Sequence, residues 1–262
     1  MSKVLFCEGG YDRQVLEKVV DGLDWTIESV GGVRGMRSFM KGYAQANKLL
    51  KGRKMGFRDR DFDFPVDEYE QLYLDKRNIA VAARICIENY LISPPVIQKY
   101  LEKQKVETAL PDIEERFFEA YEKLKYYQTV RHALGKTRNP VNLATRWTAA
   151  SGKLPDELSE TYCLRAGKQL IETYIKENKS ITVAAFDENY ADFLQKFDNA
   201  FLQSHKPLIW FHGKDLMTQL IPKIQEYYAK FGRNNYYDFA LKVFDYTQFP
   251  DLIQLREHLK TI

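Results

Sequence analysis

Two short runs near the start of this sequence hold the residue types that do phosphate chemistry. Cys7-Glu8-Gly9-Gly10-Tyr11-Asp12 places Glu8 just past an apolar run, with a second carboxylate, Asp12, on the helix that follows. Arg58-Asp59-Arg60-Asp61-Phe62-Asp63 comes after another apolar run. Asp59 and Asp61 are two apart, so in extended chain they share a face. Carboxylates gathered in this way repel one another when ionised, and a divalent cation is the usual remedy. Mg²⁺ prefers a few carboxylates plus waters and substrate phosphate to a closed protein cage. Taken singly, Glu8 could cap a turn, and Asp59, Asp61 and Asp63 could form an acidic loop or a helix N-cap. The stronger signal is that both sets stand at strand ends. Asp59/Asp61 and Asp61/Asp63 each offer an Asp-x-Asp frame, and the apolar strand stops just before the first.

The elements that must position these residues alternate in period. Lys3 to Cys7 reads as a buried strand, and Asp12 to Leu23 carries apolar residues at helical spacing. Trp25 to Val30 alternates like a strand, and Gly31-Gly32 breaks it. Met36 to Leu50 reads as helix, Met55 to Arg58 and Ile79 to Ala83 as strands. Strands separated by helices predict βα units and a largely parallel sheet, with ligand sites at the carboxyl ends of the strands. After Pro94-Pro95 the texture becomes helical, through Val96 to Leu134, Glu157 to Glu177 and Glu188 to Gln203. Lys206-Pro207-Leu208-Ile209-Trp210-Phe211 reads as a late strand returning to the sheet, with a helix over Leu216 to Phe231. The expected organisation is an α/β core over 1–95 and 205–232, a long α-helical insertion over 96–204, and C-terminal helices over 233–262 packed on the core.

The chain has 262 residues, room for one large domain or two small ones, and 45% are hydrophobic, enough to build a core without staples. No apolar run approaches the ~20 residues of a membrane span, and the N-terminal run is too short for a secretory signal. Three widely spaced cysteines without a Cys-x-x-Cys pattern argue against a disulfide framework or zinc site, so the expected compartment is the reducing cytoplasm. The formal charge is only +3, yet residues 29–58 and 123–155 contain no Asp or Glu. The first stretch holds Arg34 and Arg37. The second holds Arg131, Lys136 and Arg138 among Tyr126, Tyr127 and Trp147. Segregated basic charge with interleaved aromatics suits a phosphate backbone and stacked bases, so these five cations are candidate nucleic-acid contacts. A solvated basic face answering the acidic stretch from Asp61 to Asp75 is the plain alternative. Gly135-Lys136-Thr137 resembles the end of a Walker A loop, but Val130 stands where its first glycine belongs, so any ATP-dependent control must come from a partner. No GxSxG elbow appears.

A strand ending in Glu-Gly followed by a strand ending in Asp-x-Asp resembles the Toprim domain of topoisomerases, primases and certain nucleases. The Glu8/Asp12 pair, Ile87-Glu88-Asn89-Tyr90-Leu91 and Phe211-His212-Gly213-Lys214-Asp215-Leu216 are more similar to the OLD-type nucleases. The compact set most resembles the stand-alone Toprim-like effector nucleases of PARIS (phage anti-restriction induced system). The resemblance covers roughly residues 1–95 and 205–225.

The resemblance implies a metal-dependent nuclease that cleaves tRNA or DNA as the toxic effector of a bacterial anti-phage system. A separate ABC-type ATPase would hold it, and it could act as a homodimer once released. It implies Glu8, Asp12, Asp59 and Asp61 as ligands of one or two Mg²⁺ or Mn²⁺ ions, with Asp63 and Glu88 as further ligands or groups that orient them. Glu8, Asp59, Asp61 and Lys214 would be catalytic, Lys214 placing its charge beside the phosphate. His212 reads as structural, since no second histidine lies at ligand spacing. Two other classes fit the same residues: a non-catalytic module that binds nucleic acid and an ATPase, and a small-molecule metal-dependent phosphotransferase.

Overall fold

The structure, a computed structural model, describes residues 3–31, 33–46, 54–62, 71–75, 78–138 and 154–262. The chain divides into two compact units. The first comprises Met1–Arg60, Glu68–Leu91 and Phe239–Ile262, and the second comprises Asp61–Asp67 and Ile92–Asp238.

All five described strands belong to the first unit: β1 (Lys3–Cys7), β2 (Trp25–Ser29), β3 (Lys54–Arg58), β4 (Tyr73–Asp75) and β5 (Ile79–Val81). Their order is β2-β1-β3-β5-β4. β1, β2, β3 and β5 run parallel, and the edge strand β4 runs antiparallel to β5. The central strands are apolar on both faces, as a covered parallel sheet requires. Val4 and Phe6 pack with Met36 and Met40 of helix α2 (Val33–Ala46), and the pleat turns Leu5 and Cys7 the other way. Helix α1 (Gly10–Val19) follows β1 and buries Val15, Leu16 and Val19. Trp25 Nε1 donates to the Leu259 carbonyl of α11 (Pro250–Thr261) at 3.1 Å, so the last helix closes over the sheet edge. The Lys18 ammonium donates to the carbonyls of Leu241 and Phe244 just where α10 (Arg233–Val243) ends, a cation at a helix C-terminus.

The second unit is helical: α3 (Pro94–Lys103), α4 (Leu110–Arg138), α5 (Glu160–Glu177), α6 (Val183–Lys196), α7 (Asn199–Leu202), α8 (Pro207–Trp210) and α9 (Gly213–Gln225), with the first part of α10. The 29-residue α4 is its axis, packed by α3, α5, α6, α7 and α9. From Tyr127 to Leu134 every residue of α4 is buried, because neighbours cover all its faces.

The α/β architecture with a mostly parallel sheet matches the sequence reading, and β4 is an addition to it. The late strand is a correction. Residues 207–210 form α8, and residues 205–232 group with the helices of the second unit. A short apolar run fits a strand or a buried helix equally well by periodicity. Pro207, with its fixed φ, takes the start of a helix, and its carbonyl accepts the Phe211 N–H at 2.8 Å. The helical unit thus extends beyond the expected 96–204, and the C-terminal helices divide, with Phe239–Ile262 in the sheet unit.

Candidate functional site

β1 and β3 are neighbouring parallel strands, so their carboxyl ends stand side by side and bring Glu8 to Asp59. The Asp59 backbone N–H donates to Glu8 Oε1 at 3.3 Å. The Glu8 carbonyl in turn accepts the Gly31 N–H at 3.1 Å and the Ser29 hydroxyl at 3.2 Å. Hydrogen bonds from the ends of both neighbouring strands therefore hold this residue. Asp12 lies in the first turn of α1 and is only 5% exposed. Its Oδ2 lies 3.2 Å from where a Cβ on Gly9 would be, so the Glu-Gly step lets the backbone pass close to a carboxylate. Burial first, then the charges of Asp12 and Glu8, push the Cys7 thiol up to about 12. Both carboxylates thus act on one spot at the end of β1.

Glu88 is buried in a 3-10 turn (Ile87–Tyr90) that packs against α1. Its neighbours in the motif have structural roles. Asn89 Oδ1 accepts the Cys86 N–H at 3.2 Å. The Tyr90 hydroxyl donates to Asp251, which also accepts the Ala83 N–H at 3.0 Å. The Arg84 guanidinium covers the rings of Tyr90 and Phe249, with 5.3 and 4.9 Å to their centroids. Arg60, to which the sequence reading gave no role, and Arg58, which it counted in the basic stretch 29–58, are both buried beside Asp59. Their signal was the alternation Arg-Asp-Arg-Asp itself, which supplies cations among the carboxylates.

Asp61 departs from the extended geometry expected of it. β3 ends at Arg58, Asp61 has φ 51°, and residues 61–62 form a turn. An aspartate accepts this left-handed conformation more readily than most residues, so the alternation of an extended chain does not govern Asp59 and Asp61. The chain passes from the first unit to the second between them. Asp63 lies outside the described residues. Among the described residues, no three His, Cys, Asp or Glu side chains form a group able to hold one ion.

The remaining candidates belong to the second unit or to α2. Phe62 is buried against α4, with its ring 4.8 Å from His132 edge-on and stacked 6.2 Å from His212. The Arg131 guanidinium lies 4.1 Å from the centroid of Phe62. A Cβ on Gly135 would collide with the Phe62 carbonyl and stand 2.9 Å from its Cβ, so glycine permits this approach. Arg131 is 2% exposed and ion-paired with Asp215, which also accepts from Gln128 Nε2 at 2.9 Å. Gln128 Oε1 receives the His212 backbone N–H at 3.1 Å. Burial, with the nearby charges of Arg131 and Lys214, holds the His212 imidazole well below its usual range and therefore neutral. His212 is structural, as expected. Lys214 is half-buried in the first turn of α9, which corrects its expected place after a strand.

Arg131 is a further correction to the candidate nucleic-acid contacts, because its charge is spent inside the helical unit. Arg138 is also buried, and Lys136, 41% exposed in its side chain, reaches Asp192 at 3.2 Å. An acid-free run of sequence says nothing of the acids that other helices bring to it. Arg34 and Arg37 lie on α2, and their side chains fall outside the described residues. No family model matches the sequence, and no curated protein matches it. Among the described residues, no helix is long and apolar enough to cross a membrane.

Proposed function

We propose that this chain is a divalent-cation-dependent phosphodiesterase acting on nucleic acid, tRNA or DNA. We place it as the toxic effector of a bacterial anti-phage system, held by a separate ABC-type ATPase, working in the cytoplasm and able to dimerise when released. One observation carries the catalytic part: Glu8 and Asp59 are joined at the ends of adjacent parallel strands, with Asp12 in the first turn of the next helix. The donors are hard oxygens, few in number and at a sheet end, which suits a cation that keeps waters and takes substrate phosphate.

In this reading Glu8, Asp12 and Asp59 hold Mg²⁺ or Mn²⁺, with Glu88 orienting them. Such an ion would supply Lewis-acid charge at a phosphoryl oxygen and a water of lowered pKa. The backbone fixes Glu8 so that its carboxylate needs little reorganisation, and buried Arg58 and Arg60 offset the negative charge beside Asp59.

Incubating the protein with plasmid DNA and with total tRNA, in Mg²⁺ or Mn²⁺ and in EDTA, tests the reading. Metal-dependent products that vanish with Glu8→Ala and Asp59→Ala, at unchanged folding, are expected. Equal toxicity of wild type and Glu8→Ala in cells would sink it. A non-catalytic module is the competing reading. It requires that both variants keep full biological effect.

A further inference from the structure

Helix α2 carries an exposed aromatic pair that the catalytic reading does not use. Phe39 is 47% exposed, and its ring stacks on that of Tyr43, one turn later, with centroids 6.3 Å apart and planes inclined by 20°. Beneath them the fully buried Phe6 of β1 meets both rings edge-on, at 5.5 and 5.2 Å. A single exposed phenylalanine needs no explanation. This one is held in place from two sides, so a ligand stacking on it has little side-chain motion to arrest. Around it Ser38, Lys41, Gly42 and Gln45 are exposed, so the patch carries the cation Lys41 two residues from Phe39 on the same helix. Phe6 is also two residues before Glu8, which follows the end of β1, about 7 Å along the chain.

We propose that Phe39 and Tyr43 form a ledge on which an unpaired base of the nucleic acid stacks, while exposed Lys41 on the same helix takes a flanking phosphate. Single-stranded binders combine these two features: aromatic faces accept any base, and cations follow the backbone. A duplex keeps its bases stacked on each other and offers the ledge nothing. The ledge therefore selects looped or single-stranded substrate and positions it near the end of β1. The choice of ligand rests on the proposed nuclease reading.

The test is binding of unstructured oligouridine and oligothymidine, and of a duplex of matched length, to the full chain in EDTA, where no cleavage occurs. Phe39→Ala is expected to weaken single-strand binding by about tenfold. Phe39→Trp should restore it, and Phe39→Leu, apolar but unable to stack, should not. Duplex binding should be unchanged. The salt dependence should stay the same in Phe39→Ala, since no phosphate contact is lost, whereas Lys41→Ala should flatten it. Absence of single-strand binding by the wild type at low salt would overturn the proposal, as would an equal loss for duplex or a Phe39→Leu variant equal to wild type. A dimer abolished by Phe39→Ala at unchanged affinity would instead assign the ledge to a second copy of this chain. Failure of the catalytic reading would show separately, as intact binding without metal-dependent cleavage.

Discussion

The buried pair Arg131–Asp215 separates a structural from a nucleic-acid role for the basic face of α4, and Asp215→Ala is the perturbation. Removing one partner of a buried ion pair costs about 3–5 kcal/mol, because the other charge stays desolvated. Here Arg131 keeps the ring faces of Phe62 and Tyr127, at 4.1 and 5.4 Å. These offset roughly 1–2 kcal/mol. Against that, Gln128 loses an acceptor, which costs about 1 kcal/mol. The balance is about 3 kcal/mol lost, or roughly 6–12 °C in melting temperature for a unit of this size. Burial raises the Asp215 carboxyl above its usual range although Arg131 and Gln128 pull it down, so desolvation outweighs the pair. Replacing both partners, as Arg131→Met with Asp215→Leu, should therefore leave the protein closer to wild type than Asp215→Ala does. Thermal unfolding followed by circular dichroism measures each variant, and oligonucleotide binding in EDTA is measured alongside. The reasoning is refuted if Asp215→Ala melts within about 2 °C of wild type. A loss of polynucleotide affinity and of salt dependence in Arg131→Met would return that arginine to the surface.

Gly135→Ala should dislodge Phe62 and cost roughly 1–3 kcal/mol of overpacking, read by urea unfolding. His212 has a folded pKa below its unfolded value, so its contribution to stability is present above about pH 6.5 and is lost as the pH falls, when only the unfolded chain takes up the proton. His212→Gln should accordingly lose less stability than wild type between neutral pH and pH 5, by matched melts. Cys7, with its thiol pushed up to about 12, should resist alkylation in the native protein at pH 8 and react after denaturation, by mass spectrometry. Tyr90→Phe should cost about 1–2 kcal/mol through the loss of its hydrogen bond to Asp251, with native-like spectra.

The βα alternation of the first ninety residues and the placing of Glu8 and Asp59 at strand ends were legible in the sequence. Both follow from local periodicity, and a parallel sheet then fixes which strand ends can meet. The helical texture after Pro94 was legible for the same reason. What the tertiary structure decided were the features that periodicity does not encode. Residues 207–210 are helical because Pro207 starts a turn whose apolar side is buried among aromatics, an environment an isolated apolar run does not specify. Asp61 leaves the extended path because Phe62 takes a seat against Gly135 on α4, far along the chain. Arg131 lies in an acid-free stretch of sequence and yet has a carboxylate partner, because α9 carries Asp215 to it. Charge along a chain is a one-dimensional property, and pairing in a low-dielectric interior is settled by which helices pack.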